Sequence, residues 1–168
     1  MAPAGLIYEE ADKYPIRVAR SIAFEIKDQF TGVKCVIAGS ILRRKEWVHD
    51  IDIVICSKDE SVRKKAAEIL DIQPMLYKIS GKYKGIPTQI WFCNEEEWGP
   101  TLLEVTGPRN FNQFLRSCAK RKGLFLSSRG LFVRNSNNTP GERIDNNTEG
   151  HIIYTILGKA WIPPELRY

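Results

Sequence analysis

Gly39-Ser40-Ile41-Leu42-Arg43-Arg44-Lys45-Glu46-Trp47-Val48-His49-Asp50-Ile51-Asp52, running on into Ile53-Val54-Ile55-Cys56, is the stretch on which the fold turns. Its second half alternates: Ile51, Ile53 and Ile55 interleave with Asp50, Asp52 and Val54, the two-residue period of a strand. Both aspartates therefore leave the strand on the same side, away from the isoleucine row. Two carboxylates so placed repel each other unless a cation relieves them, and Mg²⁺ is commonly held by one or two carboxylates together with substrate phosphates. Alone, such a pair describes a solvated strand face equally well. The first half shifts the balance. Gly39-Ser40 closes the short apolar run 34–38, itself a strand, and Arg43 and Arg44 follow. Backbone N–H groups, a hydroxyl and guanidinium groups are thus offered beside a carboxylate edge, which is the donor and acid set that a nucleoside triphosphate and its metal require.

Upstream, Ile16, Ala19, Ile22, Ala23, Ile26 and Phe30 recur at three and four residues, an amphipathic helix from Pro15 to about Gln29. Downstream, Ser57 or Asp59 is placed to cap a helix ending near Leu70. Met75–Ile79 and Ile86–Cys93 read as strands around a turn at Ser80-Gly81-Lys82. Gly107-Pro108 then punctuates the chain. Beyond it come a helix over about Arg109–Lys122 with Phe111, Phe114, Leu115 and Cys118 inward, a hairpin of Leu124–Leu126 and Leu131–Val133, an Asn-rich loop from Asn135 to Gly141, and a short helix from Thr148 to Gly158. The expected fold is α/β (α+β): a helix-covered mixed sheet over residues 1–105 and a small α/β domain over 106–168.

Composition agrees with two small domains that bury a core: 168 residues, 43% of them hydrophobic. The net charge of +5 is unevenly spread, since residues 101–168 carry ten basic against five acidic side chains while the first hundred balance. A basic second domain suits a phosphate backbone. The widely spaced Cys35, Cys56, Cys93 and Cys118, with only His49 and His151, speak against a disulfide framework or a structural zinc site. No apolar run reaches membrane-spanning length, and the acidic start is unlike a secretory leader. A cytoplasmic or nuclear protein is expected, not a secreted or membrane one.

These residues carry a resemblance. Gly39-Ser40, Arg43 and Asp50-Ile51-Asp52 resemble the nucleotidyltransferase signature of the family X DNA polymerases, with the same spacing from glycine to first aspartate. Thr106-Gly107, followed by Phe111-Asn112 and Arg116, is similar to that family's threonine–glycine turn and thumb helix. The closing segment Thr148-Glu149, Leu157-Gly158 and Trp161-Ile162-Pro163-Pro164-Glu165-Leu166-Arg167 resembles the family's own. The resemblance implies a catalytic palm and a DNA-facing thumb that add nucleotides to a DNA 3′ end with two divalent ions, generally in gap-filling repair. It implies that Asp50 and Asp52 bind metal, Mg²⁺ or alternatively Mn²⁺, and that Gly39, Ser40 and Arg43 hold phosphates, with Arg17 a further contact. Glu104, Val105, Thr106, Gly107 and Asn112 would line the nucleotide, and Arg116, Lys120 and Arg121 would meet DNA. With no room for the lyase and fingers-like domains of larger members, the chain resembles the small viral form of the family. A monomer is expected, in a cell or in a virion.

Two departures qualify the expectation. The family's third aspartate, on the strand before the thumb, falls on Gln89, whose neutral carbonyl oxygen is a poor substitute at the ion that activates the primer hydroxyl. Either this leaves a weakened, repurposed or inactive enzyme, in which case an accessory protein that binds nucleotide or DNA is the alternative, or Gln89 is an introduced change. Glu104-Val105 stands where the family has an aromatic pair beside the sugar, which suggests relaxed deoxyribose selection. His49, where glycine is common, and Trp47, a candidate base-stacking residue, complete the list of unusual side chains near the site.

Overall fold

The computed structural model describes residues 12–168, so the reading of the first eleven residues lies outside it. The chain divides into two compact units, residues 1–92 and 93–168. The sequence reading drew the line at 105/106, on Gly107-Pro108. The difference has a physical cause: Leu103 is buried in the second unit's core.

In the first unit a two-residue strand β1 (Tyr14–Pro15) leads into helix α1 (Ile16–Lys27), with Pro15 at the N-cap, where a missing N–H costs nothing. Ala19, Ala23 and Ile26, at helical spacing, are buried. Then come β2 (Cys35–Ile37), the single turn α2 (Gly39–Leu42), β3 (Trp47–Val48), β4 (Ile51–Cys56), α3 (Glu60–Leu70), β5 (Lys78–Tyr83) and β6 (Ile86–Cys93). β1 pairs with β3, and the main sheet has the order β2-β4-β6-β5. β4 is therefore interior. Ile51, Ile53 and Ile55 are fully buried as their alternation requires, and Val54 is buried too. Only Asp52 and Cys56 on this strand retain partial exposure.

The hairpin β5–β6 corrects the sequence reading. The turn is Lys84-Gly85, with φ of 49° and 82°, not Ser80-Gly81-Lys82. Two successive left-handed residues form the tight turn that matches strand twist, and glycine at the second position makes it cheap. The register runs Lys78 opposite Trp91, Ser80 opposite Gln89 and Tyr83 opposite Ile86.

The second unit opens with a 3-10 turn at Glu95–Glu97 that leads into helix α4 (Trp98–Thr106). A reciprocal cap starts it, Asn94 Oδ1 accepting from Glu97 N–H at 2.9 Å and Glu97 Oε2 from Asn94 N–H at 3.2 Å. Pro100 is tolerated because it falls in the first turn. Helix α5 (Arg109–Arg121) follows a cis Gly107-Pro108 peptide, then β7 (Leu124–Ser127), β8 (Gly130–Arg134), β9 (Pro140–Arg143) and α6 (Glu149–Leu157). The three strands form one antiparallel sheet, so Pro140-Gly141, read as loop, begins a strand. Phe111, Leu115, Cys118 and Ala119 of α5 join Leu103, Leu131, Ile152, Ile153 and Ile156 in the second core. Phe114, expected inward, is 51% exposed, and Asn112 is buried in its stead. With Ala119 also buried, the inward face is centred near Leu115, which leaves 114 at its outer edge and takes in 112. Thr148 caps α6 through His151 N–H, and Gly158 ends it in the left-handed conformation.

Candidate active site

The carboxylate edge is built within the first unit. Gly39 has φ +64°, and a Cβ there would lie 2.1 Å from Asp52 Oδ2, so only glycine lets the chain turn this close to the carboxylate. Ala38 N–H donates to the Asp52 carbonyl at 2.8 Å, pinning the turn to β4. The opening turn of α2 leaves its first N–H groups without intrahelical acceptors. Within it the Ser40 hydroxyl is buried with no hydrogen-bond partner among the described residues. Arg43, at the C-cap of α2, is close enough for its charge to favour the ionised form of Asp52.

Asp52 is the electrostatic centre. Burial raises its carboxyl first, the neighbouring Asp50 charge raises it further, and together they lift it from 3.8 to about 7 against the opposing pull of Arg43 and Lys78. The Trp91 indole N–H is near enough to assist the ionised form, yet it is buried without a full hydrogen bond. A buried carboxylate this uncomfortable, a second carboxylate beside it, and buried Ser40 and Trp91 donors without acceptors fit one divalent cation and a polyphosphate. Asp50 and Asp52 are the residues that would hold that cation.

Gln89 lies on β6, the strand next to β4, two residues before Trp91 on the same sheet face. Its Oε1 accepts from Lys78 Nζ at 3.4 Å. Neither Lys78 nor Trp91 was singled out from sequence. The signal for Lys78 was there, in the hairpin register, but it was hidden once the turn was placed at Ser80-Lys82. Among the described residues no group of three histidine, cysteine, aspartate or glutamate side chains converges. Asp50 and Asp52 act as a pair, with a neutral third side chain beside them.

The remaining candidates of this unit are exposed side chains. Arg17 is exposed in the first turn of α1. His49 Nδ1 lies 3.0 Å from the Asp12 carbonyl oxygen, a tie to the start of the described chain. Trp47 is 43% exposed.

The second unit holds its own group of candidates. Asn112 Nδ2 donates to the Glu104 carbonyl at 2.8 Å, and Arg116 Nη2 forms an ion pair with the Glu104 carboxylate. Thr106 and Gly107 are buried at the end of α4, beside half-buried Glu104 and Val105. Lys120 and Arg121 are exposed in the last turn of α5, Arg121 reaching Cys118 Sγ at 3.0 Å. Glu104, read from sequence as a lost aromatic, is thus the hub of this group. Arg167, part of the closing segment, is buried, with its guanidinium 2.8 Å from Glu149 Oε2 and stacked over Phe111 at 5.6 Å.

Comparison with known proteins bears on both units. Residues 101–168 match the DNA polymerase beta thumb. The whole chain is similar to the DNA polymerase/3′-5′ exonuclease PolX of Bacillus subtilis, 29% identical over 174 aligned positions that cover 95% of this chain and 29% of that protein. The chain thus spans under a third of that relative's length. Leishmania infantum polymerase beta shares the fold: TM-score 0.78 and 19% identity for a ternary P/T complex, covering 96% of this chain and 79% of that one. For its ternary gap complex the values are 0.79 and 18%, over 96% and 72%. Residues 101–168 thus resemble the polymerase beta thumb, and the chain as a whole shares the fold of polymerase beta.

Proposed function

We propose that the chain is a metal-dependent, DNA-directed nucleotidyltransferase that adds nucleotides to a DNA 3′ end, as in gap-filling repair, acting in the cytoplasm or nucleus. The observation that carries this reading is the Asp50–Asp52 pair packed against Gly39, with the buried Ser40 hydroxyl and the Arg43 charge on the same turn. Asp50 and Asp52 would hold Mg²⁺, or Mn²⁺ in its place; bound there, the ion supplies charge neutralisation to the triphosphate. The Gly39-Ser40 turn and Arg43 would orient the β- and γ-phosphates, with Arg17 an outlying contact. In the second unit Asn112, Thr106, Gly107, Val105 and Glu104 would face the incoming nucleotide. Arg116, Lys120 and Arg121 would meet the DNA backbone, and the basic excess of residues 101–168 supports that role.

A second reading, an accessory protein that binds nucleotide or gapped DNA without turnover, is favoured by one observation: Gln89 carries no charge and its oxygen already accepts a hydrogen bond from Lys78. The readings part in a filter-binding assay with gapped duplex and a matched triphosphate, run beside extension of the same primer. The enzyme reading predicts extension that Asp50→Ala abolishes, a loss of roughly 10³-fold or more, because the cation loses a ligand at the point where charge develops. Tight binding by the parent without extension in Mg²⁺ or Mn²⁺ supports the accessory reading.

A further inference from the structure

Lys78 stands directly across the β5–β6 hairpin from Trp91, and its ammonium lies 4.7 Å from the centre of the indole ring. From there Nζ donates to Gln89 Oε1 at 3.4 Å, and its charge reaches Asp52. Cross-strand pairing and the two-residue period of β6 thus put one cation of the fold beside the neutral member of the carboxylate edge. Surface lysines more often point into solvent. This one is turned along the sheet by an aromatic face and an amide oxygen.

The same contacts bear on how many metal ions the site takes. A first divalent cation has Asp50, Asp52 and triphosphate oxygens. A second would have the same two carboxylates, already shared, and one neutral amide oxygen that already faces an ammonium, whose like charge opposes it. The residues present therefore fit one cation and do not fit two.

We propose that this site works with a single divalent cation and that Lys78, held beside Gln89, is the second positive charge, facing the primer 3′-hydroxyl. The inference rests on the polymerase reading above. In the step, the 3′-oxygen forms a bond to the α-phosphorus while the bond from that phosphorus to the bridging oxygen breaks. That electron pair leaves with pyrophosphate, and the hydroxyl proton passes to solvent water. The Lys78 ammonium takes no proton; it stabilises charge developing on the attacking oxygen. A lysine that merely covers Trp91 would contribute to stability alone.

The test counts ions and measures rates on the full chain. Mn²⁺ is titrated, with detection by electron paramagnetic resonance, against the protein bound to a gapped duplex with a dideoxy-terminated primer and a non-hydrolysable triphosphate analogue. The expected count is one Mn²⁺ for the parent and two for the Gln89→Asp, Lys78→Met double variant. In single-turnover extension, Lys78→Met is expected to slow the parent by roughly 10²–10³-fold, with thermal unfolding little changed and partial recovery in Lys78→Arg. The same Lys78→Met change in the Gln89→Asp background is expected to cost less than about tenfold. Two Mn²⁺ ions on the parent, or an equal loss from Lys78→Met in both backgrounds, overturns the inference while leaving the polymerase reading standing. Failure of every variant to take up Mn²⁺ with the triphosphate overturns both.

Discussion

The two candidate clusters differ in how their polar groups are satisfied. In the first unit the Ser40 hydroxyl and the Trp91 indole nitrogen are buried without a complete hydrogen bond among the described residues, and Asp52 is held where its charge is unwelcome. In the second unit the candidates lean on one another: Asn112 and Arg116 both bind Glu104, and the buried Arg167 guanidinium lies 2.8 Å from Glu149 as an ion pair, although its terminal nitrogens make no geometrically complete hydrogen bond. Buried polar groups are costly unless paired, so a fold that leaves several unpaired in one place is incomplete there. On the proposed function the carboxylate edge would be shaped for a charged ligand before it arrives, whereas the α4–α5 group would exchange internal partners for external ones. The first would be preorganised and the second a switchable network.

The sharpest contrast lies in stability. Arg167→Ala should destabilise the second unit by about 3–5 kcal/mol, since it strands the Glu149 carboxylate in a buried setting; thermal or urea unfolding measures it. A loss below about 1 kcal/mol would erase the idea that the Arg167–Glu149 pair holds the second unit together.

Asp52 should behave in the opposite way. Its carboxyl is raised from 3.8 to about 7, so the folded state holds a proton that the unfolded chain has already lost across that window. Stability of the metal-free protein should therefore fall as pH rises from about 4 to about 7 and then level off. Asp52→Asn should remove the fall and leave the variant more stable than the parent at pH 8, on the order of 2–4 kcal/mol, with the difference vanishing below pH 4. Unfolding curves across that range, with chelator present, decide the matter; a parent whose stability rises over the window contradicts the account.

Smaller effects sharpen the distinction further. Ser40→Ala removes a hydroxyl that has no partner in the free protein, so unfolding should shift by less than about 0.5 kcal/mol. Triphosphate affinity should drop several-fold, the worth of about one hydrogen bond. In the second unit Glu104→Ala should free Arg116, strengthening binding to gapped DNA several-fold at low salt with a steeper salt dependence. The same variant tests sugar choice: relaxed selection traced to Glu104 requires the deoxyribonucleotide preference to change with it.

Most of this was written in the sequence, and the parts that were not have identifiable causes. The Asp50-Ile51-Asp52 alternation and the glycine before it specified the carboxylate edge, because period and φ requirement are local properties. The hairpin turn at Lys84-Gly85 was misplaced because Ser80-Gly81-Lys82 offers competing turn chemistry only four residues away. That slip changes which residue faces Trp91, and with it Lys78 disappears from view. Helix α4 is not legible in the sequence, although Asn94 and Glu97 cap the 3-10 turn that leads into it, since Gly99 and Pro100 read as breakers before their position in the first turn is known. Phe114 shares the three- and four-residue spacing of Phe111 and Cys118 and so reads as core, whereas the buried face is shifted toward Asn112 and Ala119 and leaves it exposed. The pairing of Glu104 with Arg116 depends on the cross-helix geometry of α4 and α5, which no local pattern specifies.

The central claim is that the Asp50–Asp52 edge transfers a nucleotide despite Gln89. Single-turnover extension of a primer across a one-nucleotide gap in Mg²⁺, with the chain as it stands and with Asp50→Ala, tests it directly. The account predicts addition of one matched nucleotide by the parent and none detectable from the variant. No extension by the parent, in Mg²⁺ or in Mn²⁺, whether or not Gln89→Asp restores it, would contradict it.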